Sequence, residues 1–204
     1  MIIGLTGPSG AGKSTVAGMF VTAGFRHIDC DAIVHALGNE PAYRDAIAAT
    51  FGESFLQGGA VDRKKLGALV FSDPAALDRL NHAVAPLISE KIERVLSEAK
   101  AAGEDAVLDA PLLFEYALDR ICDVTVGVVA SEKVLLSRLA LRDGKTEAEL
   151  RGRLASQKPT SFFETACDYV LHNDGDLDAL AAAFADMMTQ IRTKPNHTRR
   201  EYET

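Results

Sequence analysis

The 204-residue sequence has few cysteines, an excess of acidic over basic residues and no long apolar segment, and each shortage excludes a class of protein. Its three cysteines, Cys30, Cys122 and Cys167, are odd in number and widely spaced, which argues against a disulfide framework or a zinc site. The formal net charge of −7 argues against a general binder of nucleic acid or membrane surfaces. No apolar run reaches membrane-spanning length, and Pro8 interrupts the apolar start, so we expect a cytoplasmic protein.

The glycine-rich segment after the first apolar run predicts a phosphate-binding loop. Residues 7–14 read GPSGAGKS and match the pattern G-x-x-x-x-G-K-S. The glycines let successive backbone N–H groups point into one concavity, and the helix predicted from Lys13 to Phe20 adds partial positive charge at its N-terminus. Lys13 can then reach the β- and γ-phosphates of a nucleotide, and the Ser14 hydroxyl can join the shell of a Mg²⁺ ion.

Five short apolar runs alternate with longer helical patterns. The predicted strands are Ile2–Thr6, Arg26–Asp29, Ala106–Asp109, Val124–Val129 and Tyr169–His172. Strands separated by helices favour an α/β fold of three layers, in which helices cover both faces of a parallel five-stranded sheet. Ligands of such sheets bind outside the carboxyl ends of the strands. We therefore expect one crevice, surrounded by Thr6, residues 29–31, Asp109, Val129 and Asn173.

The predicted organisation is a single domain over residues 1–192 with two helical additions. Apolar residues at helical spacing between about residues 40 and 102 predict an insertion, which we expect Pro74 and Pro86 to break into pieces. A second helical hairpin over about residues 131–157 contains a capping box at Thr146 to Glu149. Residues 193–204 form a polar tail that we expect to be frayed.

Asp31 follows the second predicted strand and precedes a predicted helix. Its carboxylate either takes the proton of an acceptor hydroxyl or simply caps that helix. Asp29, closer to the end of the strand, is a weaker second candidate for the base. These roles are compatible, because a cap also fixes the direction of a side chain.

Asp109 and two arginines are further candidates for phosphate chemistry. Asp109 ends the third predicted strand, where it is either a carboxylate that organises Mg²⁺, directly or through water, or a turn residue. Arg138 and Arg142 are four residues apart and share one helix face. That face is either solvated or part of a mobile lid over the γ-phosphate, and we interpret it as a lid with Arg142 as the stronger candidate.

These features together resemble the dephospho-CoA kinase family, whose motifs occur here in the family's order from about residue 2 to residue 180. The matching segments are Ile3–Gly7 with the loop, Ile28–Asp31, Val61–Leu66 with Val70 and Phe71, Asp109–Glu115, Arg142–Gly144, Arg153–Gln157 and Asp168–Asn173. The resemblance implies a P-loop kinase fold with an acceptor-binding insertion. It also implies transfer of the γ-phosphate of ATP, with Mg²⁺, to the 3′-hydroxyl of dephospho-CoA.

The resemblance also implies roles for individual residues. The implied ATP-binding residues are Gly10, Ala11, Gly12, Lys13, Ser14 and Thr15 at the phosphates and Asn173 near the base. Asp31 is the implied base, Arg142 the lid cation, and Leu112, Leu113, Phe114 and Glu115 lie beside the acceptor, unless the three apolar residues simply form helix core. Arg63 either contacts the acceptor's phosphates or stays solvated. The chain departs from the family at Ala85, where histidine is usual, and at Phe163, where lysine is usual.

Two alternatives to this function are a kinase for another nucleotide-like alcohol and a nucleotide-binding regulatory module without phosphoryl transfer. No asparagine is followed by lysine, so the guanine-binding motif N-K-x-D of GTP switches is absent. An aligned base and lid, Asp31 and Arg142, favour a kinase over the module, because nucleotide binding alone requires neither. The expected partners are ATP and dephospho-CoA only.

Overall fold

The computed structural model describes residues 1–193. The strands are β1 (Ile2–Thr6), β2 (Arg26–Asp29), β3 (Leu56–Gln57), β4 (Ala60–Val61), β5 (Ala106–Asp109), β6 (Val124–Val129) and β7 (Tyr169–His172). The α-helices are α1 (Lys13–Thr22), α2 (Cys30–Leu37), α3 (Pro41–Phe51), α4 (Arg63–Ser72), α5 (Pro74–Ala101), α6 (Glu132–Asp143), α7 (Glu147–Ala155), α8 (Thr160–Ala166) and α9 (Leu177–Thr193). Within these residues, no helix combines the length and apolarity needed to cross a membrane.

The five predicted strands form one sheet in the order β2-β5-β1-β6-β7, which confirms the predicted α/β fold class. β1 is central and pairs in parallel with β5, where Leu5 lies opposite Asp109, and with β6. β6 pairs in parallel with β7, where Val129 lies opposite His172. Because β1, β5, β6 and β7 run in the same direction, their carboxyl ends meet at one edge of the sheet.

Contacts divide the chain into two units, and the first comprises residues 1–28 and everything described from Glu98 onward. Its core lies between the sheet and the helices that flank it. Phe20 of α1 packs edge-to-face against Phe25 and against Phe184 of α9, with ring centroids 5.2 and 4.8 Å apart. Ile3 and Leu5 of β1 are fully buried in the same cluster. Burial on both faces explains why β1 reads as a continuous apolar run.

The start of β7 is fixed to β6 by hydrogen bonds between Thr125 and Asp168. The Asp168 carboxylate accepts hydrogen bonds from the backbone N–H of Thr125, at 2.8 Å, and from its hydroxyl, at 2.7 Å. In return, the backbone N–H of Asp168 donates to the Thr125 hydroxyl at 3.0 Å. These hydrogen bonds between the same two residues set where β7 begins, and so where the residues after its carboxyl end lie.

The second unit spans Asp29–Ser97 and is mainly helical. Ile47, Leu66, Ile88 and Ile92 are among its buried side chains. It also contains the antiparallel hairpin β3–β4, which the sequence did not predict because two-residue strands show no alternation of apolar and polar residues. The hairpin turns at Gly58 and Gly59, whose φ angles of 60° and 82° suit glycine. The predicted insertion, about residues 40–102, overlaps this unit, and its role in acceptor binding stays a prediction.

The two prolines expected to break the insertion behave differently. α4 ends at Ser72 and α5 begins at Pro74, so the break there is confirmed. The predicted break at Pro86 is wrong, because α5 continues through it from Pro74 to Ala101. Pro86 supplies no N–H for the preceding turn, but the buried side chains of Ile88 and Ile92 hold this part of α5 against the core. The predicted tail begins at Thr193, the last residue of α9, and the rest of it lies outside the described residues.

Replacing Pro86 by alanine should stabilise the protein. Pro86 is exposed on α5, so Pro86→Ala loses no buried contact and restores one backbone hydrogen bond. Part of the gain is offset because the unfolded chain becomes more flexible. We expect the free energy of unfolding, measured by urea denaturation, to rise by about 1–2 kcal/mol.

Glu90→Ala is the matched control, because Glu90 is exposed one turn later on the same helix. It should change the free energy of unfolding by less than about 0.5 kcal/mol. A loss of stability in Pro86→Ala would mean that the proline ring makes a packing contribution larger than its hydrogen-bond cost.

Candidate active site

The predicted phosphate loop connects β1 to α1, and glycine is sterically required at two of its positions. Gly7 and Gly12 have φ angles of 142° and 101°, which side chains disfavour. A Cβ atom on Gly7 would lie 2.1 Å from the carbonyl oxygen of Val128. A Cβ atom on Gly12 would lie 2.3 Å from Nδ2 of Asn173. The loop backbone therefore lies directly against the ends of β6 and β7.

The loop presents several donors for an anion. No side chain within the described residues caps α1, and its first turn contains no acidic residue, so no carboxylate of that turn offsets the partial positive charge of the helix N-terminus. Nζ of Lys13 donates to the carbonyl oxygens of Gly7, at 2.8 Å, and Pro8, at 3.2 Å, which folds the ammonium group back over the loop. Ser14 and Thr15 are exposed in the first turn of α1. Helix, ammonium group and hydroxyls together suit a phosphate chain with a bound cation.

Asn173 follows β7 and is buried beneath the loop, with 6% of its surface exposed. Its Nδ2 donates to the carbonyl oxygen of Ala11 at 2.7 Å. Its Oδ1 accepts from Nη2 of Arg138 at 3.4 Å, and Nη1 of Arg138 is buried without a hydrogen-bond partner among the described residues. A cavity of about 210 Å³ adjoins this arrangement, lined by Gly12, Thr15, Arg138, Asn173, Gly175, Asp176, Leu177 and Leu180. Asn173 thus supports the loop and also lines a cavity beside it.

Asp109 lies at the carboxyl end of β5, where the sequence predicted a carboxylate for Mg²⁺. Its Oδ2 is 3.6 Å from Nε2 of His27, which is close enough for the carboxylate to pair with a charged imidazole. No group of three or more His, Cys, Asp or Glu side chains among residues 1–193 could hold a metal ion. A Mg²⁺ ion here would therefore need ligands from the nucleotide in addition to Ser14 and Asp109.

The lid arginine Arg142 lies at the end of α6 in a small ion network. Its Nε donates to Oδ1 of Asp143 at 2.7 Å, and Nη1 of Arg153 donates to Oδ2 of the same carboxylate at 2.8 Å. The hydrogen bond from Arg142 lowers the pKa of the Asp143 carboxyl below its ordinary value. The predicted capping box is confirmed, since Thr146 and Glu149 bond each other at the start of α7. Arg138 and Arg142 have different partners, because Arg138 contacts Asn173.

In the second unit, the structure shows which of Asp29 and Asp31 caps α2. Oδ1 of Asp29 accepts from the backbone N–H of Ala32 at 3.0 Å, so Asp29 is the N-cap of α2. The alternative in which Asp31 caps this helix is therefore wrong. Asp31 is exposed in the first turn of α2.

Arg63, the first residue of α4, is held by two neighbouring side chains rather than only by solvent. Its Nη1 is 3.2 Å from Nδ1 of His35, and its Nη2 donates to Oδ1 of Asn39 at 3.1 Å. Since a guanidinium group only donates, Nδ1 of His35 is the acceptor in this contact. These contacts orient the guanidinium group, and binding of an acceptor's phosphates by Arg63 stays a prediction.

The segment Leu112–Glu115 forms consecutive turns after β5, so the alternative of helix core is wrong. Leu113 is fully buried, whereas Leu112 and Glu115 are exposed. Phe114 packs edge-to-face on Phe162 with ring centroids 5.2 Å apart. Of the two departures, Phe163 is buried beside Val129 and Cys167, and Ala85 is half-buried on α5. Phe163 therefore fills the core instead of supplying a cation.

Sequence reasoning assigned no role to two polar residues, Asp143 and Gln157, that the structure connects to the site. Asp143 bridges Arg142 and Arg153, and Gln157 bonds Ser9 of the loop. The pattern G-x-x-x-x-G-K-S specifies the loop but not the distant side chains that hold it. The motif match at Arg153–Gln157 was the one signal in the sequence that pointed to Gln157.

A glycine-rich loop between the central strand of a parallel sheet and an uncapped helix, with arginines on a nearby hairpin, defines a P-loop protein of the kinase type. The sequence model for dephospho-CoA kinase matches residues 1–179. The chain belongs to the dephospho-CoA kinase family.

Individual relatives agree with this family. The chain is 36% identical over 194 residues to the dephospho-CoA kinase of Arabidopsis thaliana, covering 94% of the chain and 84% of the relative. It is 38% identical over 191 residues to that of Latilactobacillus sakei, covering 93% and 95%. A crystal structure of a Thermus thermophilus protein superimposes with a TM-score of 0.77 at 31% identity, covering 94% of this chain and 97% of that one.

Gly12→Ala should impair nucleotide binding. The new methyl group collides with Nδ2 of Asn173, and the φ angle of 101° is strained for alanine. We expect the affinity for ADP, measured by calorimetry, to fall about tenfold or more, as expected when about 1–3 kcal/mol of strain is introduced.

Gly18→Ala is the control on the same helix, because a Cβ atom there meets nothing within 4 Å. It should raise the free energy of unfolding by about 0.5–1 kcal/mol and leave ADP affinity unchanged. Unaltered ADP binding by Gly12→Ala would show that the loop adapts easily and that its glycine is dispensable.

Proposed function

We propose that this protein transfers the γ-phosphoryl group of ATP to the 3′-hydroxyl of dephospho-CoA, which gives coenzyme A and ADP. The observation that carries the proposal is the geometry of the phosphate loop, in which Lys13 and an uncapped α1 face one concavity, in a chain of the dephospho-CoA kinase family. The curated relatives in Arabidopsis thaliana and Latilactobacillus sakei are named dephospho-CoA kinases, which supports this acceptor.

The proposed position of ATP follows from the donors of the loop and the cavity beside it. The phosphates take the N–H groups of α1 and the ammonium group of Lys13, which exchanges the carbonyls of Gly7 and Pro8 for stronger, charged acceptors. The base occupies the cavity lined by Arg138 and Asn173. Nη1 of Arg138, buried without a hydrogen-bond partner among the described residues, gains a polar ligand there.

Mg²⁺ fits the side chains at the loop. The Ser14 hydroxyl is exposed in the first turn of α1, and the half-buried Asp109 carboxylate lies at the carboxyl end of β5, next to β1 in the sheet. Hydroxyl and carboxylate oxygens are ligands that Mg²⁺ accepts, with water completing the shell. When bound, the ion would supply positive charge that neutralises the negative charge developing during phosphoryl transfer. Ser14 would bind it directly and Asp109 through water.

Asp31 is the proposed general base. In the step, the 3′-hydroxyl oxygen of the acceptor bonds to the γ-phosphorus, the bond from that phosphorus to the β-γ bridging oxygen breaks, and the hydroxyl proton passes to the Asp31 carboxylate. The exposure of Asp31 and the use of Asp29 as helix cap support this assignment, because the cap leaves Asp31 as the carboxylate of α2 not used to start the helix.

Asp31→Asn tests that role. An amide keeps the size of the side chain but cannot take the proton, so we expect kcat to fall ~10²–10⁴-fold with little change in ADP affinity. Steady-state kinetics and calorimetry measure the two quantities.

Asp29→Ala is the paired variant for this test. It removes the cap of α2, so it should lower the free energy of unfolding by about 1 kcal/mol and reduce kcat far less than Asp31→Asn. The reverse order of rates, with Asp29→Ala the slower enzyme, would assign the base to Asp29.

Arg142→Ala should slow transfer much more than it weakens ADP binding. A lid cation is needed mainly while the γ-phosphoryl group is in transfer, so we expect kcat to fall ~10²-fold or more. Arg151→Ala is the control on the same hairpin, because exposed Arg151 forms ion pairs with Glu132 and Glu147 at the surface. It should leave kcat within about twofold, as exposed ion pairs contribute little. Equal losses of kcat and ADP affinity in Arg142→Ala would instead make Arg142 an ordinary nucleotide-binding residue.

The decisive experiment measures ADP release with and without dephospho-CoA and identifies the product by mass spectrometry. We expect coenzyme A from the wild type. In Lys13→Ala, which loses the cation aimed at the phosphates, we expect the rate to fall ~10²-fold or more. Turnover of AMP or another alcohol, with none of dephospho-CoA, would instead establish a kinase for a different nucleotide-like acceptor. ADP binding without turnover of any acceptor would establish a regulatory module.

A further inference from the structure

Gln157 connects the end of the lid hairpin to the phosphate loop. It lies just after α7, and its backbone N–H donates to the carbonyl oxygen of Leu154 at 3.1 Å. Its Oε1 accepts from the backbone N–H of Ser9 at 2.9 Å, and its Nε2 donates to the Ser9 hydroxyl at 3.0 Å. Both residues are half-buried, so neither hydrogen bond is fully exposed to competing water.

The position of Ser9 makes this pair of hydrogen bonds important. Ser9 lies between Gly7 and Gly10, whose φ angles of 142° and 85° give the loop a shape that few internal bonds maintain. One internal bond, from the N–H of Ala11 to the carbonyl oxygen of Pro8, is long at 3.3 Å. Flexible glycines leave such a loop many alternative shapes, so external hydrogen bonds must select the binding one.

We propose that Gln157 is a positioning residue that holds the phosphate loop in its nucleotide-binding shape and links that shape to the lid hairpin α6–α7. Gln157 bonds the loop at Ser9, whereas Asn173 bonds it at Ala11, so the two amides hold different parts of the loop. The proposal rests on the proposed function only in requiring that the loop bind a nucleotide. It does not depend on the identity of the acceptor.

The chemistry of Ser9 explains why an amide serves at position 157. A backbone N–H needs an acceptor, and the amide supplies one while its nitrogen donates to the hydroxyl. A carboxylate can accept from both the N–H and the hydroxyl, but it places a negative charge beside phosphates. A methionine has a similar length and volume but neither a strong acceptor nor a donor. These two substitutions therefore separate hydrogen bonding from charge.

Gln157→Met tests the hydrogen bonds by calorimetry with ADP and by steady-state kinetics with ATP. We expect about tenfold weaker ADP binding and at least a tenfold lower kcat/KM for ATP, as expected for the loss of two partly buried hydrogen bonds. The KM for the acceptor should stay within about twofold, because a positioning role at the loop acts on the nucleotide. Gln190→Met, an exposed position on α9, is the control and should change neither quantity.

A double-mutant cycle with Ser9→Ala identifies Ser9 as the residue through which Gln157 acts. Ser9→Ala removes the hydroxyl but keeps the N–H, so it should weaken ADP binding less than Gln157→Met does, by about threefold. In the Ser9→Ala background, Gln157→Met should lose less affinity than in the wild type. Additive effects, or ADP affinity and kcat within twofold of the wild type in Gln157→Met, would overturn the proposal.

Gln157→Glu keeps the test decisive even if Gln157→Met does not fold. Because the carboxylate can retain both contacts with Ser9, we expect a normal unfolding transition together with ADP binding weakened about tenfold or more by charge repulsion. Wild-type ADP affinity in both Gln157→Glu and Ser9→Ala would show that the contact with Ser9 does not shape the phosphate site, and it would overturn the proposal. Since ADP binding needs no acceptor, a failure of these variants to behave as expected is distinguishable from a wild type that does not phosphorylate dephospho-CoA.

Discussion

The rest of the site depends on the absence of side chains at Gly7 and Gly12. At these two positions the loop backbone lies so close to Val128 and Asn173 that a single methyl group would displace it. The position of the loop therefore depends on β6 and β7. Hydrogen bonds between Thr125 and Asp168 hold these two strands together at the start of β7. A change in the register of the sheet would move the groups on which the loop rests. This explains how a flexible, glycine-rich segment becomes a defined binding site.

The ion network around Asp143 keeps two arginines of the α6–α7 hairpin near each other. Asp143 accepts from both Arg142 and Arg153, and these hydrogen-bonded charges keep its pKa low, so the carboxylate is ionised at neutral pH. Both arginines are substantially exposed, and exposed ion pairs are weak. Breaking the pair between Arg142 and Asp143 therefore costs little, which agrees with the proposed role of Arg142. The network gathers positive charge locally in a chain whose overall charge is negative.

Local patterns in the sequence predicted the elements whose causes are local. All five strands of the sheet were confirmed at their predicted bounds. The three central strands are buried and are therefore nearly continuous apolar runs. Pro86 was expected to end a helix, but the packing of Ile88 and Ile92 overrides its local preference. The helix cap at Asp29 and the hydrogen bonds of Gln157 to Ser9 were missed for a similar reason. Which of two neighbouring carboxylates turns toward a helix, and which distant amide reaches a loop, depends on tertiary structure that no local pattern encodes.

The polar residues at the loop divide into those with charge and those without, and the division has a physical reason. Lys13 is charged and folded over the concavity, whereas Asn173 and Gln157, which hold the loop's own backbone, are neutral amides. A carboxylate in either supporting position would repel phosphates, and a lysine or arginine at position 157 could not accept the hydrogen bond from the Ser9 N–H. An amide offers a donor and an acceptor without charge, so it fixes the backbone without altering the field that the ligand meets. Charge is thereby reserved for the groups that contact phosphate, and the geometry of the loop is maintained by side chains that the phosphate neither attracts nor repels strongly.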